Sequence, residues 1–405
     1  MAITVAEQPS SYTPAHAPQI FRATSTQTGQ PNFKYTVIIT DLITSESETY
    51  EIDPRPSTAD MVKDVRDFVY EFIRNYIPTN DPYKYGWQKC TDAVRKIRVN
   101  IGETYGNPPT YYAGSNIDYY VWNAGLTHWE YPTYNSANYI YTDPTDMQAL
   151  STTTDEITYQ SNSSFLYFLA SATPITGVKI KTYNSAGTLL GTSTIDNPYA
   201  ATTDYKEMYV CIDVGYKGLS NIISMLVSGT YPIITDQVAY YDVIDTSTLF
   251  LSGDYVHKRF YVGCEARFEP YTLHYLNLAG DYRTLPMTKK SEVSIENEKQ
   301  TWKQNVWEQL TKWSYNTSTP SERVLTSRSL KKYVLNSDWL SEADIDTYSD
   351  IINSGSVYLD MGNTIGLIPV IVETNSLQLL RRWNSPLKSI QLSVRLTTKD
   401  TWQNG

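Results

Sequence analysis

The chain has 405 residues, among them 35 tyrosines, 9 phenylalanines, 4 histidines and 3 cysteines, and it carries a formal net charge of -10 with a pI near 5.0. The side chains that usually supply acid-base, nucleophilic or metal chemistry are therefore scarce, and binding to duplex DNA is disfavoured because phosphate contacts need clustered Lys and Arg. A chain of this size exceeds what one hydrophobic core usually supports, so we expect two or three domains.

Residues 1–33 are rich in Pro, Ser, Thr and Gln and predict an extended N-terminal arm, since prolines interrupt regular elements. Such an arm is either a disordered tail or a segment that orders along a neighbouring subunit on assembly. The start lacks the basic and apolar regions of a signal peptide, and no stretch of the chain is apolar enough for a membrane span. We therefore expect synthesis in the cytoplasm and no membrane.

The segment 34–150 predicts an α+β domain. Apolar and polar residues alternate over 33–42 and again over 96–106, which is typical of half-buried strands. Between them, apolar residues recur at three- and four-residue spacing over 61–76, after a capping Ser or Thr at 57–58. This spacing predicts a long helix that packs on the sheet of its own domain, with a partner-binding helix as the alternative.

The segment 151–250 predicts a small antiparallel β-sandwich, because short strands and turn residues follow each other closely. Its strongest part is a hairpin. Apolar residues alternate with lysines over 178–182, a turn follows at 184–187, and the return strand begins at Leu189.

The segment 251–405 predicts a second α+β domain that ends in a strand-helix-strand module. Tryptophans from Trp302 to Trp313 stand at helical spacing and predict a short amphipathic helix or a helix-like bend, and a second, capped helix is predicted over 341–354. Of the closing strands, the middle one contains Pro369, which predicts an edge strand or a bulge. The predicted fold is thus a multidomain α+β chain whose mixed domains flank the small sandwich.

The cysteines Cys90, Cys211 and Cys264 are far apart and odd in number, which fits neither a disulfide framework nor a zinc knuckle. We expect them to be buried free thiols. The four histidines offer no pair at the short spacing that a metal site needs. No metal ligands are therefore predicted.

No recognisable catalytic motif is present. The chain has no Gly-x-Ser-x-Gly elbow, no Walker loop and no Gly-x-Gly-x-x-Gly, so neither catalytic nor cofactor-binding residues are predicted. Two carboxylate pairs, Asp242 with Asp245 and Glu265 with Glu269, leave a glycoside hydrolase open as a third hypothesis. Because sequence spacing does not fix the distance between two carboxyl groups, we favour solvated surface acids.

Aromatic side chains between residues 111 and 131 are the candidate binding residues. Tyrosine and tryptophan combine a large apolar surface with a polar group, which suits contacts between subunits. The same residue types could also form a platform for a glycan. We predict a subunit interface at these positions: Tyr111, Tyr112, Tyr119, Tyr120, Trp122, Trp129 and Tyr131.

Two parts of the chain resemble a known group of proteins. QPSSYTPA at 8–15 and QPNFKY at 30–35 are similar to the opening of virion structural proteins from crAss-like and related tailed phages of Bacteroidetes hosts. WLSEA at 339–343, with SVYL at 356–359 and IPVIV at 368–372, resembles their closing module.

This resemblance implies a structural subunit of the phage neck or tail, without enzymatic activity or cofactor. It implies a homo-oligomeric ring around the DNA channel that connects the head and portal to distal tail proteins. Partners would be copies of itself and other neck or tail proteins, and DNA would pass without specific binding. The expected location is the virion, after synthesis in the host cytoplasm. The alternative is a receptor-binding or glycan-binding subunit of a tail or fibre.

Overall fold

The chain folds into two compact units, Met1–Glu265 with Leu276–Arg283, and Ala266–Tyr275 with Thr284–Gly405. The first unit thus includes the segments predicted as an arm, an α+β domain and a sandwich. This computed structural model describes residues 3–74, 86–140, 149–150, 155–171, 174–201, 209–224, 227–245, 256–263, 267–303, 307–309, 313–315, 318, 320–340, 342–361, 366–374 and 389–402.

Strands dominate both units. Up to residue 262 the elements are β1 Ile3–Glu7, β2 Tyr12–Pro14, β3 Ile20–Ser25, β4 Lys34–Asp41, β5 Ser47–Ile52, β6 Met61–Asp64, α1 Arg66–Phe72, β7 Trp87–Lys89, β8 Val94–Tyr105, β9 Thr110–Tyr112, β10 Asn116–Trp122, β11 Asp155–Thr158, β12 Phe165–Leu169, β13 Gly177–Tyr183, β14 Leu189–Asp196, β15 Tyr209–Asp213, α2 Tyr216–Asn221, β16 Val227–Gly229, β17 Tyr240–Asp245 and β18 Val256–Val262. The remaining elements are β19 Tyr271–Leu276, β20 Tyr282–Met287, β21 Glu292–Lys303, β22 Trp307–Gln309, β23 Trp313–Tyr315, β24 Glu322–Asn336, α3 Glu342–Tyr348, β25 Val357–Asp360, β26 Leu367–Val372, β27 Gln391–Leu396 and β28 Asp400–Trp402.

The α+β prediction is therefore wrong, because the described chain is β-rich and its α-helices span seven residues at most. The clearest error is the long helix predicted over 61–76. Met61–Asp64 is strand β6, which pairs antiparallel with β3, and only Arg66–Phe72 is helical. Pairing with β3 provides hydrogen-bond partners for the backbone of Met61–Asp64. The short helix α1 that follows buries Phe68 and Val69. Tertiary pairing has overridden a local helical pattern.

The segment predicted as an extended arm is folded into the first unit. β1 pairs antiparallel with β3, and β2 pairs in parallel with β10. In β3, buried Phe21 and Ala23 alternate with exposed Arg22 and Thr24, so that the strand has one core face. Residues 3–33 therefore contribute strands and core side chains to the first unit.

The first core of this unit lies beneath the sheet with strand order β2-β10-β8-β4-β5. Its alternating inward residues include Val37 and Ile39 of β4 and Val99 and Ile101 of β8, all fully buried. The two strands predicted over 33–42 and 96–106 are thus confirmed. Each has one apolar and one polar face, as the sequence indicated.

The second core of this unit lies between two sheets, with strand orders β11-β18-β17-β13-β14-β16 and β12-β15-β7. Ile180 and Val243 of the larger sheet share a core cluster with Phe168 and Val210 of the smaller one, which is a sandwich arrangement. The hairpin of β13 and β14 is confirmed, with its turn closed by Gly187. Strands β7 and β18 lie outside the predicted 151–250 segment, and β11 pairs with β18 in parallel.

The second unit contains a sheet with strand order β20-β19-β25-β26-β27-β24-β21, and β28 pairs with β24. Buried Ile345 of α3 and Ile351 of the following 3-10 turn pack in its core with Leu335 and Leu392. The predicted helix over 341–354 and the closing strands are thus confirmed. The helix predicted around Trp302 is wrong, because β21 continues to Lys303 and β22 and β23 then form a hairpin.

Pro369 lies in β26, which is an interior strand between β25 and β27, so the edge or bulge prediction is wrong. The pairing of β26 with β27 begins only at Val370. Beyond that point the Pro369 carbonyl accepts a hydrogen bond from Thr397 Oγ1 at 3.3 Å. The proline thus stands where the pairing with β27 has already ended, so on that side its missing N–H leaves no hydrogen bond between strands unmade.

Several tyrosines lie in the interior of the first unit. Tyr35, Tyr209 and Tyr241 are fully buried or nearly so, and each donates its hydroxyl to a backbone carbonyl at 2.8 Å. A buried phenol keeps its apolar ring in the core when its O–H has an acceptor. The tyrosine excess is therefore used for packing as well as for exposed surfaces.

Candidate assembly surfaces

Three of the seven aromatic residues predicted at a subunit interface are buried inside the chain. Tyr119, Tyr120 and Trp122 lie on β10, between β2 and β8, and are exposed by 8% or less. The Tyr119 hydroxyl donates to Gln19 Oε1 at 2.7 Å, and Trp122 Nε1 donates to the Ala279 carbonyl at 3.1 Å. These three side chains offer no surface to a neighbour, contrary to the prediction.

The other four predicted residues are exposed, at two separate places. Tyr111 and Tyr112 lie on the short strand β9, with 40% and 47% of their surface exposed. Trp129 and Tyr131 lie in the segment after β10, with 84% and 37% exposed. The structure thus divides one predicted patch into a buried part and two exposed parts.

Residues 127–139, which we call the aromatic segment, are stabilised by internal hydrogen bonds near their start and held to the rest of the first unit near their end. Near its start, Thr127 donates through its N–H and its hydroxyl to Glu130 Oε2, at 2.9 and 2.8 Å. Near its end, the Tyr134 hydroxyl donates to the Tyr12 carbonyl at 2.9 Å, and the Tyr139 ring packs 5.7 Å from that of Tyr134. The segment is therefore a fixed feature of the first unit.

Trp129 projects from this fixed segment into solvent. Its only ring neighbour among the described residues is His128, at 5.6 Å. An indole with 84% of its surface exposed leaves a large apolar area in water. Tryptophan side chains of this kind are frequent anchors at protein interfaces, because burying them on a partner recovers that free energy.

The second exposed surface lies at one edge of the sheet in the second unit; it is formed by β21 and β24 and is called the ribbon below. The two strands pair from Glu292 with Val334 to Lys303 with Glu322. All twelve residues of β21 are exposed. At about 3.4 Å per residue, this strand is about 40 Å long. Among the described residues, β21 ends the sheet, so one edge of its backbone faces outward.

One face of β21 carries apolar side chains at the open edge. Val293 and Ile295, two residues apart, are 52% and 64% exposed. Further along the ribbon, Trp302 and Leu325 are 48% and 51% exposed, and Leu325 is the residue that the strand register skips. A long, exposed edge strand with apolar side chains is a template for pairing with another chain.

The opposite face of the ribbon carries compensated charges. Lys332 Nζ lies 2.7 Å from Glu296 Oε1 and 3.2 Å from Glu373 Oε2, and Lys399 Nζ lies 2.8 Å from Glu298 Oε2. Lysines and glutamates that are paired in this way keep one face of the ribbon soluble. The apolar edge of β21 is thus the part of the ribbon suited to contact.

The ribbon was not recognised from the sequence, although a signal for it exists. Residues 292–296 read Glu-Val-Ser-Ile-Glu, a strict alternation typical of a strand. The spacing of the tryptophans that follow favoured a helix instead. This alternation is enough to predict that residues 292–296 form a strand. It does not predict that the strand lies at the edge of a sheet.

The described residues do not assemble a recognisable catalytic or metal site. They contain no group of three or more His, Cys, Asp or Glu side chains that could hold a metal ion. Asp242 is 3% exposed and accepts two hydrogen bonds from Arg259, at 2.6 and 2.9 Å, so it is committed to that ion pair. Glu269 is exposed, while Glu265 and the side chain of Asp245 lie outside the described residues.

Comparisons with known proteins add little. No family model matches the chain, and no curated protein matches it. A crystal structure of a mutant of Salmonella alpha-2-macroglobulin is similar to it with a TM-score of 0.20 and 9% identity, over 100% of this chain and 31% of that one. At that score the likeness carries no argument about fold or function. Of the helices in the described part of the chain, none has the length and apolar character to cross a membrane.

Proposed function

We propose that this chain is a structural subunit that assembles with copies of itself and with neighbouring particle proteins, forming a ring around the DNA channel in the neck or tail of a tailed phage. The observation that carries this proposal is the ribbon, whose strand β21 exposes all twelve residues and ends its sheet among the described residues. β24 pairs with β27 and β28 on its other side, so the outer edge of β21 is the edge of the ribbon that is left for a partner strand or surface.

The exposed aromatic segment supports the same proposal from the first unit. Trp129 provides an apolar anchor of the kind that dominates interface energies, and Tyr131 flanks it with a half-exposed ring. A ring built from heterologous contacts needs two different surfaces on each subunit, one for each neighbour. The ribbon and the aromatic segment are two such surfaces. The net charge of -10 further suits a channel that DNA passes without adhering.

The test is the oligomeric state over a concentration series, measured by analytical ultracentrifugation and followed by negative-stain electron microscopy. We expect the unmodified chain to associate into closed rings with an open centre. Val293→Lys with Ile295→Lys places two charges on the apolar edge of β21, and Trp129→Ala removes the anchor. Each change is expected to weaken association by at least about tenfold, because each removes a buried apolar contact.

Ile43→Lys is the matched control, since Ile43 is 50% exposed but lies in the turn after β4 and not on a sheet edge. It should leave association unchanged. A chain that stays monomeric at every concentration, alone and mixed with other virion proteins, would contradict the proposal. Trimeric spikes in place of rings would favour the receptor-binding alternative.

A further inference from the structure

The outer face of the sheet that contains β8 and β10 carries a strip of polar side chains beside one aromatic ring. In β8, buried Ile97, Val99 and Ile101 face the core, so the residues between them face outward. The strip follows these outward positions from Gly102 to Arg98 and is about 14 Å long at the usual rise of a strand. Strands hold such positions more rigidly than loops do.

The Tyr111 ring forms one end of the strip. It occupies the space above Gly102, since a Cβ placed there would lie 2.4 Å from Cε2 of Tyr111. Its hydroxyl donates to Asn100 Oδ1 at 2.7 Å, which fixes the ring in place. Because 40% of the residue stays exposed, the ring has one side on the backbone of β8 and another open to solvent.

A pair of amides follows next to the ring. Asn100 and Asn116 stand directly opposite each other on β8 and β10. Asn100 Nδ2 donates to Asn116 Oδ1 at 2.8 Å and to the Gly114 carbonyl at 3.0 Å, so the orientation of Asn100 is fixed. Asn116 is exposed, and no acceptor for its Nδ2 is found in the part of the chain that the structure describes. This amide is therefore available as a donor.

One position further along, Arg98 and Asp118 form the other end of the strip. Arg98 Nε and Nη2 donate to the two carboxylate oxygens of Asp118 at 2.7 and 2.8 Å. Their side chains are 39% and 33% exposed. A bidentate pair is rigid, and its remaining N–H groups and lone pairs can still form hydrogen bonds with a ligand.

These groups share a chemistry that suits a sugar. An exposed ring side offers an apolar surface for the C–H groups of a pyranose, and amides with an ion pair offer donors and acceptors for its hydroxyls. The charges of the strip itself compensate each other in the Arg98–Asp118 pair, and on the same face Lys34 and Glu51 pair at 3.0 Å. The strip therefore has no net charge to attract an anion, and its length suits a chain of several sugars.

We propose that this strip, formed by Tyr111, Asn100, Asn116 and the Arg98–Asp118 pair, binds a neutral polysaccharide chain. The proposal does not depend on ring assembly, because every group in it belongs to one unit of one chain. The competing interpretation is that Tyr111 only covers Gly102, as aromatic side chains often do beside a strand glycine. The two interpretations differ in what Asn116 contributes, since Asn116 does not cover Gly102.

The test is affinity electrophoresis of the full chain through gels that contain soluble β-glucan, xylan or mannan, with polygalacturonate as the charged comparison. At least one neutral polysaccharide should retard the protein. Tyr111→Ala and Asn116→Ala should each weaken this binding by about tenfold or more. Asn116→Ala leaves the ring on Gly102, so it tests the proposal even where Tyr111→Ala lowers stability.

Tyr70→Ala is the matched control, because Tyr70 is a 57% exposed ring on α1, outside the strip. It should migrate as the unmodified chain does, and thermal unfolding of each variant checks that it is folded. Three results would overturn the proposal: no retardation by any neutral polysaccharide, equal retardation of the strip variants and the unmodified chain, or retardation by polygalacturonate alone.

Discussion

The Sγ atoms of Cys90 and Cys211 lie 3.6 Å apart in the interior of the first unit, and neither residue is exposed to solvent. Cys90 follows β7 and Cys211 lies on the adjacent strand β15, where the Cys90 N–H donates to the Tyr209 carbonyl at 2.7 Å. Burial raises the pKa of the Cys90 thiol well above its ordinary value. The expectation of buried free thiols is confirmed for these two residues, and Cys264 lies outside the described residues.

The first prediction concerns these thiols. In a Cys264→Ser variant, Cys90 and Cys211 should react with an aromatic disulfide reagent only when the unit opens, because a buried protonated thiol is a poor nucleophile. We expect native labelling to be at least about a thousandfold slower than labelling in guanidinium chloride, where two equivalents should react. Rapid labelling of either thiol in the native protein would contradict their burial.

The second prediction concerns His257, which is 7% exposed and whose ring packs edge-on to Phe168 at 5.4 Å. Burial lowers its pKa to about 4, against 6.5 for the free side chain. The folded state therefore favours neutral histidine, and its stability should fall as the pH is lowered from about 6.5 to about 4, by up to about 3 kcal/mol.

Replacement of this histidine isolates the effect. His257→Phe removes the titrating group, so urea unfolding at pH 7, 5.5 and 4.5 should show a flatter dependence of the unfolding free energy than in the unmodified chain. His128→Phe is the control, because it makes the same exchange at an exposed histidine and leaves His257 in place. Parallel pH profiles for the His257 variant and the unmodified chain would show that this group does not titrate on unfolding.

The third prediction concerns Gly280, whose φ is +97°. A Cβ at this position would lie 2.5 Å from the Asn123 carbonyl oxygen, and the Gly280 carbonyl accepts the Tyr209 hydroxyl. Gly280→Ala should therefore lower the free energy of unfolding by about 2–4 kcal/mol. Gly29→Ala is the matched control, since nothing lies within 4 Å of its Cβ position. In thermal unfolding, the control should be as stable as the unmodified chain or slightly more stable. Equal losses of unfolding free energy in the two variants would contradict the prediction.

The fourth prediction concerns a row of three tyrosines across adjacent strands. The Tyr240 ring stacks on that of Tyr183 at 4.8 Å and lies 5.8 Å from that of Tyr261. Tyr240→Ala should destabilise the chain by about 1–3 kcal/mol, while Tyr240→Phe, which keeps both ring contacts, should cost less than about 1 kcal/mol. A double-mutant cycle with Tyr183→Ala measures the coupling, and additive effects of the two changes would exclude a stabilising stack.

Elements with a strong local pattern could be predicted from the sequence. β8 alternates over Ile97–Ile101 and β4 does so apart from Ile38, and both were found as expected; the hairpin of β13 and β14 follows from its turn at 184–187. The helix α3 and the 3-10 turn after it follow from the periodic Ile345 and Ile351. In each of these elements the local preference agrees with the tertiary contacts, which is why a pattern was sufficient.

Other elements were decided by partners distant in sequence. Met61 pairs with Ala23, thirty-eight positions earlier in the chain, and this pairing turned a helical pattern into a strand. The candidate site shows the same limit. Tyr120 and Trp129 are both aromatic and close in sequence, yet Tyr120 is enclosed within the sheet and Trp129 is the most exposed large hydrophobic side chain among the described residues. The composition indicated an aromatic surface, but it could not show which aromatic residues are exposed on it.

The tip of the hairpin between β19 and β20, Leu276–Arg283, belongs to the first unit although it follows Glu265 in the chain. Its carbonyls at Ala279 and Gly280 accept the hydrogen bonds of Trp122 and Tyr209. A nascent chain therefore cannot finish this unit until Arg283 has left the ribosome, by which time Ala266–Tyr275 of the second unit has left it as well. A fragment that stops at Glu265 would leave the Trp122 indole and the Tyr209 phenol without these acceptors, so gene dissection at that boundary should give a poorly folding product.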